Sequence, residues 1–321
     1  MERILGIDVG KAKVHVALLR DGFKIKSHTF ENAASGFEQL AKWLGKQNFE
    51  QVHACMESTG GYGEALALFL TDRGHKVSIV NPSRIKAFAG SELLRTKTDK
   101  VDAALIARFC QAHAPDPWTP PTENERLLQS LVRRRTDLDR IRSQEAARLE
   151  APTLPTTMRT SIEHHLTFLD REICEIENRI RKLVKGDPEL RRRSALLESI
   201  TGLGQTTAAT VLGEIPHIEE FRDAKAVAAY AGLCPSHFES GTIQGRSRLS
   251  KVGNAHLRRS LFFPALVAMR WNPLLKPFAE RLRQRGKRGK TIVVAVMRRL
   301  LVLAYGVIKS GQPFNAHYAH A

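Results

Sequence analysis

Three features of the 321-residue chain predict an α/β domain at its N-terminus, followed by mainly α-helical structure. Short apolar runs alternate with helical patterns through residues 3–112. A proline-rich stretch at residues 113–121 ends this alternation. Beyond it, apolar residues recur at helical spacing.

The N-terminal domain is predicted to begin with three consecutive strands joined by short turns that contain glycine. In chain order, the predicted elements are strands Ile4–Asp8, Val14–Leu19 and Phe23–Phe30, helix Phe37–Leu44, strand Val52–Met56, a helix from about Tyr62, strand Val77–Val80, which Asn81–Pro82 ends, and helix Asp99–Ala112. Three meandering strands followed by alternating helix and strand are the element order of a ribonuclease-H-like (RNase-H-like) fold.

The chain divides into three predicted parts: the α/β domain at residues 1–115, a helical coiled-coil-like linker at 116–186, and a mainly α C-terminal domain at 187–321. The linker has two apolar stripes at helical spacing, separated by a break at Pro152 and Pro155. The stripes contain Leu127, Leu131, Leu138 and Ile141, then Leu166, Leu169, Ile173, Ile176, Ile180 and Leu183. They predict either an antiparallel helical hairpin or coiled-coil contacts in a dimer, and a structural rather than catalytic role.

The charge distribution favours a polyanionic partner. The formal net charge is +17, and the residues from Gly241 onwards include sixteen Lys or Arg but one acid, Glu280, so that this segment alone carries +15. Such an excess favours nucleic acid first and a membrane surface second. The segment also contains long apolar stretches that must fold, so solubility alone is a poor explanation for its charge.

Other features restrict the class of protein. The four cysteines form no CxxC pair, so neither a zinc site nor a disulfide framework is indicated. The N-terminal MERILGIDVG enters a strand directly and is unlike a signal peptide. The longest apolar run, residues 291–307, is broken by Arg298 and Arg299, so no membrane span is predicted. We expect a protein of a reducing bacterial cytoplasm.

Four carboxylates are predicted to converge at one edge of the sheet. Asp8 and Glu57 close the first and fourth strands, and Asp99 and Asp102 lie three residues apart on one helix face. Like charges so close repel one another unless a cation intervenes, and carboxylate oxygens suit Mg²⁺, with Mn²⁺ as a substitute. Taken singly, each acid is more readily a surface group, or a helix cap in the case of Asp99. Together they predict a metal site for phosphodiester chemistry.

The opening GIDVG also occurs in actin-like and sugar-kinase ATPases, which share the underlying sheet. Those proteins need a later phosphate turn containing Asp and a glycine-rich adenosine loop, and neither is found in the sequence.

The C-terminal domain carries two predicted phosphate-contacting segments. The first is a helix-hairpin-helix around Gly202 and Gly204, whose backbone N–H groups we expect to approach a phosphate, although a tight interhelical turn explains the same pattern. The second is a polar, glycine-punctuated loop with hydroxyls suited to attack a phosphodiester: Ser236, Ser240, Thr242, Ser247 and Ser250. Composition does not single out one of them, and Tyr230 is predicted to lie in the core. Predicted nucleic-acid contacts nearby are Arg246, Arg248, Lys251, Arg258, Arg259, Arg285, Lys287, Arg288 and Lys290.

Several sequence blocks occur in a diagnostic order: GIDVGK, ESTGGYG, VNPSRIKAFAGSELLRTKTDKVDA, ESGTIQGRSRLSKVGNAHLRRSL and GKRGK. With them, nearly the whole chain resembles the DEDD transposases of the insertion-sequence one-hundred-ten family, which are related to the Piv-type DNA invertases. RTKTDKVDA and SKVGNAHLRRSL are the specific signals, whereas GIDVG alone is weak.

The resemblance implies a RuvC-like N-terminal domain in which Asp8, Glu57, Asp99 and Asp102 are the four acids. It implies a C-terminal transposase domain whose ESG motif supplies a nucleophilic serine, here Ser240, that forms a transient phosphoserine link to DNA. It also implies donor and target DNA as substrates and a structured guide RNA, the bridge RNA. The implied assembly is a dimer or tetramer in which one protomer's acidic domain completes the serine site of another.

Three functional hypotheses follow. The leading one is a Mg²⁺-dependent, RNA-guided serine recombinase that inserts or excises a mobile element. The second is a RuvC-like nuclease that resolves junctions with metal-activated water, in which Ser240 is structural. The third is a catalytically silent nucleic-acid-binding protein.

Overall fold

The computed structural model describes residues 3–20, 24–47, 51–58, 60–92, 98–236, 239–240, 243–244 and 248–316, and of residues 20, 24, 236, 239–240, 243–244 and 248 it describes the backbone alone. The chain forms two compact units, Met1–Pro120 and Pro121–Ala321. The three-part division expected from the sequence stays a prediction.

The first unit contains a five-stranded mixed sheet with the spatial order β3-β2-β1-β4-β5. Its strands are β1 (Ile4–Val9), β2 (Lys13–Arg20), β3 (Lys24–Glu31), β4 (His53–Glu57) and β5 (Lys76–Val80). β2 lies antiparallel between β1 and β3, whereas β4 is parallel to both β1 and β5. The predicted RNase-H-like element order is therefore confirmed, except that Phe23 lies outside the described residues.

Helices cover both faces of this sheet. α1 (Ala34–Gly45) and α2 (Glu64–Asp72) bury Leu40 and Leu66 in the core on one side, together with Ile7 of β1. On the other side, α3 (Pro82–Ser91) and α4 (Asp99–His113) contribute Ile85 and Phe109 to a second core. The sheet is thus the middle layer of an α/β/α sandwich, as the alternation of elements predicts.

The helix α3 is not predicted by the sequence, in which Asn81–Pro82 indicates only the end of a strand. In the structure, the Asn81 side chain accepts a hydrogen bond from the Ser83 backbone N–H, and Pro82 is the first helical residue. Asparagine at the N-cap and proline at the first helical position both favour a helix start. The same dipeptide therefore ends β5 and begins α3.

In the second unit, α5 (Glu123–Leu149) and α6 (Thr156–Gly186) form a hairpin. The predicted apolar stripe of α6 is confirmed, because Leu169 and Ile180 are buried. In α5 the stripe begins one residue later than predicted: Leu128 is buried, whereas Leu127 is 48% exposed. Glu125 forms a capping box with Thr122 and is itself buried, so the buried face of α5 begins at Glu125.

The remaining helices of the second unit surround one hydrophobic core. They are α7 (Pro188–Glu198), α8 (Gln205–Glu214), α9 (Ala224–Tyr230), α10 (Ala255–Ser260), α11 (Phe262–Trp271), α12 (Leu275–Gln284) and α13 (Gly289–Ser310). Among the described residues between α9 and α10 there are four two-residue strands: β6 (Pro235–Ser236), β7 (Glu239–Ser240), β8 (Ile243–Gln244) and β9 (Arg248–Leu249). This unit is mainly helical, as predicted.

α13 has the length and composition of a membrane span, contrary to the expectation that Arg298 and Arg299 exclude one. Two arginines within 22 residues leave its mean hydropathy high. However, Val296, Leu300 and Ala304 are fully buried in the core of the second unit. The helix is therefore accounted for as a core helix.

Candidate active site

Two of the predicted acids lie side by side where their strands end. The parallel register pairs Ile7 of β1 with Met56 of β4, so Asp8 and Glu57 are the next neighbours along these strands. Residues paired in this way point to the same face of a sheet. Both are partly exposed, in contrast to the fully buried Ile7.

The other two acids lie on the helix that crosses this face. Gly6 is in such close contact with α4 that a Cβ there would overlap the Ala103 carbonyl oxygen and the Ala107 amide nitrogen. Asp102 immediately precedes Ala103 and Asp99 lies one turn earlier, while Asp8 follows Gly6 by two residues on the same face. Gly6 therefore allows the approach that brings the start of α4 over the carboxyl end of β1.

The cap of α4 is Thr98, whose hydroxyl accepts a hydrogen bond from the Val101 N–H. Asp99 is therefore not the N-cap, which leaves its side chain available for another role. Asp99 and Asp102 both lie in the first turn, where the helix dipole favours negative charge. The helix dipole therefore partly offsets the repulsion between these two carboxylates.

Sequence reasoning missed His15, which lies on the same face. His15 of β2 is the antiparallel partner of Asp8, and its Nε2 is 3.1 Å from Oδ2 of Asp99. Its Nδ1 is 2.9 Å from the Thr29 hydroxyl. If Nε2 donates to the carboxylate, Nδ1 accepts from Thr29, and the imidazole orients Asp99. The tight turn at Gly10, which sets the β1–β2 register, is the signal that pairs His15 with Asp8.

The donor set on this face fits a hard divalent cation in its chemistry. Four carboxylates offer the oxygen ligands that Mg²⁺ and Mn²⁺ prefer, and His15 provides the outer hydrogen bond that commonly orients such a ligand. Among the described residues, no three His, Cys, Asp or Glu side chains form an assembled metal site. The four acids therefore share one face of the unit, and their convergence on a metal ion stays a prediction.

The serine loop forms two short antiparallel ladders. Ser240 in β7 pairs with Ile243 in β8, and Ser236 in β6 pairs with Arg248 in β9. The side chains of Ser240 and Arg248 are not described, and Arg246, Thr242 and Ser247 lie outside the described residues. The backbone thus places Ser240 in a narrow hairpin.

A buried carboxylate, Glu214, anchors Asn254, which lies after the serine loop, to the helical core. The Glu214 side chain, which is fully buried, accepts two hydrogen bonds of 2.8 Å from Arg133 and one of 2.7 Å from Asn254. Burial opposes ionisation of Glu214, but these hydrogen bonds outweigh it, and its pKa is lowered. Asn254 is the N-cap of α10 and directly follows the serine loop.

Tyr230 also contacts this anchor, although not as the core residue expected from the sequence. It is 40% exposed, because it ends the short helix α9, but its hydroxyl points inward and donates to the Glu214 carbonyl oxygen. Burial of that hydroxyl raises the pKa of Tyr230. The polar end is buried and the ring is partly exposed, which is the reverse of the usual arrangement.

The Gly202 turn is explained by packing. Gly202 has φ of +112°, and a Cβ there would lie 2.9 Å from the Ala268 Cβ of α11. Asn272, fully buried, donates to the Thr201 carbonyl oxygen at 2.9 Å and fixes the same turn. Gly204, the exposed N-cap of α8, has no such packing constraint. Phosphate contact at both glycines stays a prediction.

The predicted basic contacts fall into two groups. Arg258 is partly buried and donates to the Ala231 carbonyl oxygen at 2.9 Å, so it has a structural partner. The others with described side chains are exposed: Lys251, Arg259, Arg285, Lys287, Arg288 and Lys290. The last four surround the turn between α12 and α13, where Arg288 is the N-cap of the 22-residue α13. A helix N-terminus among exposed cations is suited to bind phosphate.

Comparison with known proteins places this arrangement in a family context. A family model described as "Transposase" matches residues 5–158, and one described as "Transposase IS116/IS110/IS902 family" matches residues 194–280. The first range contains all four acids, and the second contains the serine loop.

Two relatives are similar over most of their length. A pilin gene-inverting protein of Moraxella bovis is 35% identical over 315 residues, covering 97% of both chains. A transposase for insertion sequence element IS1328 of Yersinia enterocolitica is 23% identical, covering 83% of this chain and 84% of its own.

A solved structure of T. thermophilus RuvC in complex with a Holliday junction substrate matches 37% of this chain and 100% of its own, with 12% identity and a TM-score of 0.29. The fold of the first unit is assigned from its strand order and not from this likeness.

Proposed function

This chain belongs to the IS110 transposase family, whose members cleave and join DNA strands, and we propose that it does so through a serine nucleophile, Ser240, assisted by Mg²⁺ at the acidic face. The observation that carries the proposal is the placement of Asp8, Glu57, Asp99 and Asp102 on one face of the first unit. Ser240 is proposed because it occupies the ESG position of the family, in the β7–β8 hairpin.

The proposed reaction is a transesterification. The Ser240 hydroxyl oxygen bonds to the scissile phosphorus, and its proton passes to water. The bond from phosphorus to one DNA oxygen breaks, and that oxygen leaves with a proton as a hydroxyl. A phosphodiester between serine and DNA replaces the original one, so a later attack by a DNA hydroxyl rejoins strands without ATP.

The four acids would hold the cation, and His15 would keep Asp99 oriented toward it. Bound there, Mg²⁺ supplies positive charge that offsets the negative charge developing on the phosphate. The exposed cations around the α12–α13 turn hold the DNA backbone at other phosphates.

We propose donor and target DNA as substrates, a structured guide RNA as the source of site choice, and a dimer or tetramer acting in the bacterial cytoplasm. The +15 charge from Gly241 onwards supports a polyanionic partner, and the resemblance of the sequence blocks supports the guide RNA and the shared serine site.

A metal-dependent junction nuclease needs the same four acids but no serine, and isotope labelling separates the two reactions. Cleavage in ¹⁸O-labelled water should leave the product phosphates unlabelled if Ser240 is the nucleophile. Incorporation of one ¹⁸O per cleaved strand in the first turnover would assign the chain to the hydrolytic class. A catalytically inactive variant, Asp8→Asn, controls for contaminating nucleases.

A further inference from the structure

Helix α11 carries an exposed apolar surface that the proposed function does not use. Its outward residues, here called the aromatic stripe, are Phe262, Phe263, Leu266, Val267 and Trp271. Phe263 is 74% exposed and Trp271 is 67% exposed. Among the described residues, these five account for a large share of the exposed large hydrophobic side chains. Such concentration on one helix marks an interaction site.

The face of α11 opposite the stripe is packed tightly against the rest of the second unit. The opposite face of α11 contains Pro264, Ala265 and Ala268, all buried, and packs against the Gly202 turn. Asn272, immediately after the helix, fixes that turn through its hydrogen bond to Thr201. Because small residues and a glycine bring the backbones together, the large side chains are confined to the outer face.

Arginines lie at both ends of the stripe. Arg259, Phe263, Val267 and Trp271 follow at intervals of four residues, and α10 continues almost directly into α11, so all four share one side. Arg270 precedes Trp271, with its guanidinium carbon 5.9 Å from the indole centroid. Both arginines are exposed, and the sequence from Gly241 to Ala279 contains no acid.

The positive charges beside the aromatic stripe indicate which partner would bind it. A second copy of the chain docked stripe to stripe would bring four arginines to the rim of one contact without an acid on α11 to compensate them. An unpaired nucleic-acid strand offers aromatic bases for the rings and phosphates for the arginines. Of the nucleic acids, DNA is the substrate of the family, and strand exchange separates its base pairs.

We propose that the aromatic stripe is a stacking platform for unpaired DNA, on which Phe263 and Trp271 stack against bases while Arg259 and Arg270 bind the flanking phosphates. This inference depends on the family's action on DNA and not on the serine mechanism. It is tested by binding without divalent metal, so that its failure and the failure of the Ser240 proposal are distinguishable.

The test compares the double variant Phe263→Ala/Trp271→Ala with the wild type by fluorescence anisotropy. The probes are a labelled 12-nucleotide oligothymidine and a 20-base-pair duplex. We expect about a ten-fold loss of single-strand affinity for each ring removed, and a change of less than about two-fold for the duplex. The slope of affinity against salt should stay the same, because no charge is removed.

Two further variants control the result. Ile25→Ala/Leu127→Ala removes two exposed apolar side chains elsewhere and should leave single-strand affinity unchanged. Phe263→Tyr/Trp271→Tyr keeps both rings and should retain affinity within about three-fold. Loss of affinity in Ile25→Ala/Leu127→Ala would mean that the stripe is not specifically required, and loss in Phe263→Tyr/Trp271→Tyr would contradict stacking as the source of affinity.

Three results would overturn the proposal. Equal weakening of single-strand and duplex binding would mark a general defect. A lower oligomer mass by light scattering, with single-strand affinity unchanged, would make the stripe a subunit contact. Loss of binding to an oligouridine RNA but not to the oligothymidine would assign the platform to RNA.

Discussion

At the scale of single residues, a substitution of Asp102 is the most direct test of the acidic face. It is partly buried in the first turn of α4, next to the contact between Ala103 and Gly6. Replacing it with asparagine keeps the shape of the side chain while removing one of four charges. We therefore expect Asp102→Asn to fold normally, to lose DNA cleavage and to bind Mg²⁺ weakly.

The loss of metal binding is measurable without activity. A ligand at ten times its dissociation constant stabilises the folded state by about 1.4 kcal/mol, which raises a melting temperature by about 3 °C. Saturating Mg²⁺ should raise the Tm of the wild type by this amount and that of Asp102→Asn by less than about 1 °C. The exposed Asp72 at the end of α2 is the matched control, and Asp72→Asn should respond like the wild type. Equal shifts in Asp102→Asn and the wild type would remove Asp102 from the site.

Glu214 has a structural rather than a catalytic role, and it makes the free energy of unfolding depend on pH. Its pKa is lowered in the folded state, so its contribution is present above the unfolded value of about 4.3 and is lost as pH falls through the lower folded pKa. We expect Glu214→Gln to flatten the fall in the free energy of unfolding below about pH 4.3. Urea denaturation at pH 6.5, 4.5 and 3.5 measures this.

At neutral pH, Glu214→Ala should cost about 3 kcal/mol, because it leaves Arg133 and Asn254 without their acceptor. This loss of stability is at the lower end of the range for a broken buried ion pair, since the Arg133 side chain is 42% exposed and water can reach it. The exposed pair between Arg192 and Glu189 is the comparison, and Glu189→Ala should cost less than about 1 kcal/mol. A neutral result for Glu214→Ala would mean that the start of α10 is held in place by other contacts.

Residue types predicted the acids but not their surroundings. Asp8 and Glu57 could be assigned because parallel strand ends meet at one edge of a sheet. His15 could not be assigned in the same way, because it becomes a neighbour of Asp8 only when the β1–β2 register is known. Ser240 is singled out by family resemblance alone, since five hydroxyls in its loop have similar local chemistry.

At the scale of secondary-structure elements, the turn between α12 and α13 is the strongest basic feature with described side chains. Arg285, Lys287 and Arg288 are all exposed there, and Gly286 has φ of +68°. If each cation contacts a phosphate, their joint neutralisation to glutamine should lower the slope of log affinity against log salt by about 2.7 on duplex DNA. Fluorescence anisotropy between 50 and 300 mM salt gives this slope.

The matched control has the same change in charge on another helix. Arg179, Lys182 and Lys185 are exposed on α6, and their replacement by glutamine should leave the salt slope nearly unchanged. Equal effects of the two triple variants would mean that net charge, and not the α12–α13 turn, determines affinity.

Helices and strands were predicted well where the spacing of apolar residues and the turn residues agreed. They were predicted less well where one sequence feature is compatible with two structures. Asn81–Pro82 ends a strand and also starts α3, so a stop signal concealed a helix. In α5, the apolar period alone placed Leu127 inside. The ion pair of 3.2 Å between Glu125 and the buried Arg193 turns the helix so that Leu128 takes that position.

At the scale of the whole molecule, the α5–α6 hairpin leaves apolar side chains uncovered. Met158 and Phe168 of α6 are each 52% exposed. We expect this hairpin to mediate self-association, so Met158→Ser/Phe168→Ser should lower the molar mass measured by light scattering with nucleic acid present. The two substitutions lie on the surface, so the melting temperature should change little. An unchanged oligomer, or a strictly monomeric active wild type, would contradict this role.

The proposed covalent link between Ser240 and DNA is tested most directly by identifying it. Wild-type protein incubated with end-labelled DNA and Mg²⁺, then denatured, should yield a protein-linked strand whose modified peptide carries a nucleotide on Ser240. Ser240→Ala should give no such strand although it binds DNA normally. An adduct mapped to Ser236, Ser247 or Tyr230, or recombination by Ser240→Ala, would contradict the mechanism.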